Sequence, residues 1–158
     1  MIQDGDQVPD VKLETMEGKA VSPKDFGGQK LVLYFYPKDD TTGCTREAQD
    51  FTALAGEFEN AGAWVLGVSK DDAKKHRRFT DKYELKIPLA TDRDGSVCEA
   101  FGTWVQKSMY GRKYMGIDRA TFLIDGDGVV QRIWRGVKVP GHAEEVLTAA
   151  RDLKSRGS

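Results

Sequence analysis

Cysteine and histidine are scarce, with two of each in 158 residues. Two cysteines cannot build a disulfide scaffold or a four-cysteine zinc site, and two histidines exclude a histidine-rich metal centre. Long apolar runs are missing too: the longest candidate, Leu31 to Tyr36, is far too short to span a membrane. The opening residues, Met1-Ile2-Gln3-Asp4-Gly5-Asp6, show no basic segment leading into an apolar one, so no signal peptide is expected. Nor is there an excess of one charge, since 24 Lys and Arg face 25 Asp and Glu. Binding to nucleic acid or to an anionic membrane rests on a positive field, so neither is expected as a partner. The basic run Lys74 to Arg78 follows Asp71 and Asp72 and reads as a solvated helix face. No glycine-rich phosphate loop occurs. Asp92-x-Asp94-Gly95 and Asp125-x-Asp127-Gly128 are similar to calcium loops but lack the third ligand at the required spacing, so both read as turns. No metal and no cofactor are therefore expected. The chain reads as a cytoplasmic protein with reduced thiols, folded as one domain over residues 1–158.

What is present is an alternation of strand and helix signals. Val11 to Glu14 and Lys19 to Val21 flank Met16-Glu17-Gly18 and suggest a short hairpin. Leu31 to Tyr36, stopped by Pro37, reads as a strand buried on both faces. From Cys44, apolar residues at Ala48, Phe51, Ala55 and Phe58 follow helical spacing, which predicts one helix ending near Gly62. Trp64 to Val68 predicts a strand, Asp71-Asp72 opens a polar helix resting on Phe79 and Tyr83, and Pro88 to Ala90 predicts a short strand. After the Asp94-Gly95 turn a helix is expected at Ser96 to Phe101. Thr121 to Ile124 and Val129 to Trp134 flank a hairpin turn, and His142 to Leu153 predicts an amphipathic closing helix. Lys154 to Ser158 reads as a frayed polar tail. The expected fold class is α/β: a three-layer sandwich with a mixed central sheet and helices on both faces.

The chemistry concentrates at Tyr36-Pro37-Lys38-Asp39-Asp40-Thr41-Thr42-Gly43-Cys44. A buried strand ends, a polar loop follows, and Cys44 falls in the first turn of a helix. Ligands of open α/β sheets gather at the carboxyl ends of the strands. A helix N-terminus offers unpaired N–H groups and partial positive charge, which favour the reactive thiolate. The alternative is a buried structural cysteine, which is common for a free thiol.

Pro37-x-x-x-Thr41-x-x-Cys44 resembles the peroxiredoxin active-site signature, and Tyr34 to Asp40 is similar to the bacterioferritin comigratory protein, or peroxiredoxin Q, group. Further landmarks of that group follow in order: Gly67 to Asp71, His76-x-x-Phe79, Lys82-Tyr83, Pro88 to Asp92, Gly116 to Asp125 and Val137 to Ala143. The resemblance implies a thioredoxin-like fold and reduction of hydrogen peroxide and organic hydroperoxides. It implies Cys44 as the peroxidatic nucleophile, oxidised to a sulfenic acid. Thr41 would then hydrogen-bond the thiolate or the peroxide, Pro37 would shield the pocket, and Arg119 would be the active-site arginine. A fixed guanidinium both favours thiolate and stabilises charge on a leaving oxygen. Glu47, one turn after Cys44, either orients Arg119 or is an ordinary exposed first-turn glutamate. Thioredoxin or another thiol is the implied reductant, and a monomer the implied state.

The chain departs from the group at its resolving cysteine. The positions that carry one in other members are Gln49 and Thr80 here, and the proline two residues before the cysteine is Thr42. Cys98 is the only other thiol. If the strands at Leu31, Trp64 and Pro88 are parallel neighbours, it shares a sheet edge with Cys44 at two strand spacings, roughly 10 Å. A disulfide needs Cα atoms within about 7 Å, so a helix end would have to unwind. Cys98 is thus either a resolving thiol or a small core residue beside Val97 and Phe101. In the second case an outside thiol reduces Cys44 directly.

Other functions compete less well. Thiol–disulfide exchange favours Cys-x-x-Cys, and Glu47 holds the second position. A redox sensor would keep Cys44 without turnover. A Cys–His hydrolase finds neither His76 nor His142 in a suitable motif, and Arg119 stays charged and makes a poor base.

Overall fold

The computed structural model describes residues 2–153. A seven-stranded sheet has the order β2-β1-β5-β4-β3-β8-β9. Its centre is three parallel strands, β3 (Lys30–Phe35), β4 (Ala63–Ser69) and β5 (Leu89–Thr91). The hairpin β1 (Leu13–Thr15) and β2 (Ala20–Val21) extends one edge antiparallel, and β8 (Ala120–Ile124) with β9 (Val130–Trp134) extends the other. The mixed sheet with helices on both faces is the α/β sandwich that the strand–helix alternation anticipates, with the thioredoxin-like arrangement that the family resemblance implies.

Every residue of β3 is buried, which explains its unbroken apolar run. Alternate side chains go to opposite faces. Val32, Tyr34 and Tyr36 join one core cluster with Phe51, Phe58, Phe79, Val146 and Leu147. Leu31, Leu33 and Phe35 join the other, with Val97, Phe101 and Phe122. The first face is therefore covered by α1 (Thr42–Ala53), α2 (Ala55–Asn60), α3 (Ala73–Tyr83) and α5 (His142–Asp152). The second receives the short α4 (Ser96–Ala100).

Two expectations need revision, and one stretch without an expected element holds a hairpin. The helix expected from Cys44 to Gly62 is two helices. Leu54 leaves helical geometry (φ −102°, ψ 6°), and its amide turns to Phe51 O at 3.2 Å. That bend keeps Phe58 on the same core, with its ring 5.7 Å from Phe51. The basic run on α3 is solvated except for His76, which is fully buried. The stretch after Phe101 holds a separate hairpin, β6 (Trp104–Met109) and β7 (Arg112–Ile117). Its two-residue turn is Tyr110-Gly111, both at positive φ (51° and 78°). This is the primed geometry that hairpins favour, with tyrosine where Asn or Gly is usual, so the turn signal is hidden. The polar tail at Lys154 to Ser158 lies outside the described residues.

Packing between the central strands and α1 leaves little slack. Gly67 of β4 lies opposite Tyr34, whose ring stacks on Phe51 at 4.7 Å. A Cβ on Gly67 would stand 2.7 Å from the Tyr34 ring and 2.9 Å from Leu89. Gly67→Ala is expected to destabilise the fold by about 1–3 kcal/mol through overpacking, read by urea denaturation. An unchanged midpoint would show that Tyr34 can shift freely.

Candidate active site

The site forms where β3 runs out. Tyr36 is still buried, Pro37 and Lys38 are exposed, and α1 begins at Thr42 with Thr41 as its N-cap. The first i to i−4 bond of α1 runs from Thr45 N to Thr41 O at 2.8 Å. Thr41 makes no side-chain cap; its Oγ1 donates instead to Lys38 O at 2.9 Å. With no side-chain cap, the first backbone N–H groups of α1 have no partner within the helix and carry the positive end of its dipole. Cys44, in this first turn, is 2% exposed.

Sheet register delivers the arginine. β8 runs antiparallel to β3 with Ala120 opposite Phe35, so Arg119, one residue earlier, stands beside Tyr36 at the strand end. Its Nη2 donates to Cys44 Sγ at 3.4 Å, and its Nη1 donates to Glu47 Oε1 at 2.7 Å. Gly43 makes room for this arm: a Cβ there would lie 3.1 Å from Nη2. Glu47 is 1% exposed, so the reading of an exposed first-turn glutamate is wrong and the reading that it orients Arg119 holds. The i to i+3 spacing from Cys44 carried that signal, because it places both side chains on one face of α1.

Burial pushes the Glu47 carboxyl up to about 7, against the pull of Arg119. One oxygen, Oε2, has no hydrogen-bond partner among the described residues, which is why loss of water dominates. Burial works against Arg119, but Glu47 and Cys44 outweigh it and hold the guanidinium above its ordinary value. Tyr34, beneath α1, is pushed up by burial and then by Glu47 and Cys44, so it stays a neutral phenol.

The remaining expected site residues lie apart from this triad in different degrees. Pro37 and Thr41 are exposed in the loop before α1, and Thr41 spends its hydroxyl proton on Lys38 O. Cys98 belongs to the core cluster on the opposite face of the sheet from Cys44. Its thiol is pushed upward by burial and then by its hydrogen bond to Asp92, whose carboxylate also accepts from Cys98 N at 2.7 Å. His142 donates or accepts with Thr121 at 2.8 Å, and burial lowers it to about 4. No group of three or more His, Cys, Asp or Glu among the described residues could hold a metal.

Residues 5–133 match the family model described as the AhpC/TSA family. The chain is 46% identical over 140 residues to peroxiredoxin Bcp of Xanthomonas campestris, covering 89% of this chain and 88% of that protein. It is 41% identical over 155 residues to peroxiredoxin Bcp of Bacillus subtilis, covering 98% and 99%. A solved structure of the Xanthomonas campestris bacterioferritin comigratory protein superposes with a TM-score of 0.85 at 42% identity, covering 92% of this chain and 98% of that one. That structure describes the relative's alkyl peroxide reduction activity from a trapped intermediate/ligand complex.

A raised carboxyl has a consequence for stability. Between about 4.5 and 7 the folded chain keeps the Glu47 proton that the unfolded chain has lost, so this group's contribution falls as pH rises, by about 3 kcal/mol in all. His142 acts in the opposite sense. From about 4 to 6.5 only the unfolded chain holds its proton, so stability rises with pH. The two slopes oppose each other in the native chain. Glu47→Gln is expected to expose the rising limb, so that the variant gains stability relative to the native chain from pH 4.5 to 7. Urea denaturation across that range measures it, and a constant difference would show that Glu47 is ionised throughout.

Proposed function

The chain belongs to the AhpC/TSA family and is a peroxiredoxin of the Bcp/peroxiredoxin Q group, a peroxide-reducing enzyme, and we propose that Cys44 is its nucleophile and works without a second cysteine. The observation that carries the reading is the 3.4 Å contact from Arg119 Nη2 to Cys44 Sγ at the uncapped start of α1. The Cys44 thiolate attacks one oxygen of ROOH. The S–O bond forms, the O–O bond breaks, and the other oxygen leaves as RO⁻ and takes a proton to become water or an alcohol. Arg119 and the free N–H groups of α1 stabilise the charge on that oxygen as it develops. Thr41 and Pro37 border the mouth through which peroxide enters, and hydrogen peroxide and organic hydroperoxides are both substrates.

Sulfenic Cys44 is then reduced from outside. An external thiol attacks sulfur, water leaves, and a mixed disulfide forms. A second thiol releases Cys44 and carries away the disulfide. Thioredoxin or a similar dithiol suits this sequence because its second thiol is already at hand. Cys98, buried on the far face with its thiol held protonated, takes no part. The domain acts as a monomer in a reducing compartment, the cytoplasm. Among the described residues no helix is long and apolar enough to cross a membrane.

Intact mass after one equivalent of hydrogen peroxide tests the reading. Gain of oxygen mapped to Cys44 is expected, and loss of two hydrogens within one chain would overturn the one-cysteine mechanism. Cys44→Ser should abolish peroxide consumption, whereas Cys98→Ser should turn over normally. Arg119→Ala should lower kcat/KM for peroxide by about a hundredfold. Native kinetics in that variant would remove Arg119 from the mechanism.

A further inference from the structure

The loop between β3 and α1 contains a buried carboxylate that the chemistry at Cys44 does not use. Asp39 is 9% exposed and His76, on α3, is fully buried. Asp39 Oδ2 lies 2.6 Å from His76 Nδ1, and Asp39 Oδ1 accepts from Tyr36 OH at 2.5 Å. The other ring nitrogen, His76 Nε2, faces Ala90 O of β5 at 3.1 Å and must donate, because a carbonyl only accepts. One proton therefore sits between Asp39 and His76. On whichever atom it rests, the pair is neutral as a unit and internally satisfied.

The loop is tied at two further points. Asp39 N donates to Asp71 Oδ2 at 2.7 Å, just before α3. Asp40 adopts a left-handed backbone (φ 60°), and its carboxylate accepts from Tyr83 OH at 2.6 Å and Lys82 Nζ at 2.9 Å, both from the end of α3. Two successive loop residues are thus fastened to one helix, from inside and from outside. The next residue, Thr41, is the N-cap of α1, and Cys44 follows within its first turn. An error in the loop is passed directly to the direction of the α1 N–H groups.

We propose that His76 is a positioning residue for peroxide reduction: through Asp39 it fixes the loop that sets the mouth of the site and the start of α1. The inference rests on the reading of Cys44 as the nucleophile. His76 touches neither Cys44 nor substrate. It acts by holding one oxygen of a buried carboxylate whose other oxygen is held by the Tyr36 hydroxyl of the strand end.

The test separates peroxide chemistry from simple access to the thiol. In Asp39→Ala and His76→Gln, the rate constant for oxidation of Cys44 by hydrogen peroxide is expected to fall roughly tenfold to a hundredfold, the effect of a small misplacement near a reacting centre. Alkylation of Cys44 by iodoacetamide, which needs no peroxide pocket, should be little changed. Asp39→Asn keeps a hydrogen bond to Nδ1 and should recover part of the rate. Asp39→Ala oxidised at the native rate would overturn the proposal while leaving Cys44 in place. A Cys44→Ser chain that still consumed peroxide would overturn the assignment of Cys44, and this inference with it. Because His76→Gln alters the core, the native chain supplies a second readout. Proton NMR should show a downfield, slowly exchanging proton on the Asp39–His76 bond, absent in Asp39→Ala. Its absence from the native chain would also overturn the proposal.

Discussion

Arg119 meets Cys44 only because β8 lies antiparallel beside β3 with Ala120 opposite Phe35. That register is itself fixed by burial. Both faces of β3 are covered, and a slip of one residue would exchange the side chains of the two core clusters. Tyr34, stacked on Phe51, would then leave the α1 face, and Phe35 would leave its contacts with Phe101 and Phe122. The packing of apolar strands thus determines where one guanidinium stands. The charged arm costs desolvation energy, and the sheet rather than the arm itself holds it in place.

Glu47 completes this arrangement from below. A carboxyl near the start of a helix would ordinarily be solvated and ionised. Here α1 turns it inward against Tyr34 and Arg119, so burial and ion pairing oppose each other. Arg119 is shared between Glu47 and Cys44 through different nitrogens, at 2.7 Å and 3.4 Å. The shorter bond fixes the plane of the guanidinium, and the longer one leaves it able to respond to charge at sulfur. Proton uptake by Glu47 would leave more of the arginine's charge to the Cys44 sulfur, so the protonation of Glu47 is coupled through Arg119 to the proposed nucleophile.

Much of this was legible in the residues. The buried run at Leu31, the helical spacing after Cys44, and the Asp-Gly turn before Val129 each carry a local physical signal, and each appears as an element. The Cys44 loop and Arg119 were legible through their resemblance to peroxiredoxins, whereas their contact depends on strand pairing across 75 residues. Three features stayed hidden for separate reasons. The β6–β7 turn uses Tyr110 in a conformation that favours glycine or asparagine. The break at Leu54 occurs at a residue with good helix propensity, because tertiary packing overrides it. The burial of His76 is concealed within a run of lysines and arginines, where a lone histidine adds nothing to the charge pattern.

The loss of the usual second thiol and the fastening of the loop belong together. A peroxiredoxin that resolves its sulfenic acid within the chain must bring two cysteines to within disulfide range, which requires elements at the site to open. In this chain the candidate position on α3 is Thr80, and its hydroxyl packs toward Met16. α3 instead supplies His76, Lys82 and Tyr83 to the loop that precedes Cys44. A helix with no thiol to deliver has no reason to unwind and can serve as a fixed anchor. Cys44 is 2% exposed, so under the proposed external reduction the incoming thiol must be slender enough to reach a recessed sulfur. Under the proposed one-cysteine mechanism, reduction from outside and a loop fastened to α3 are compatible features of one site.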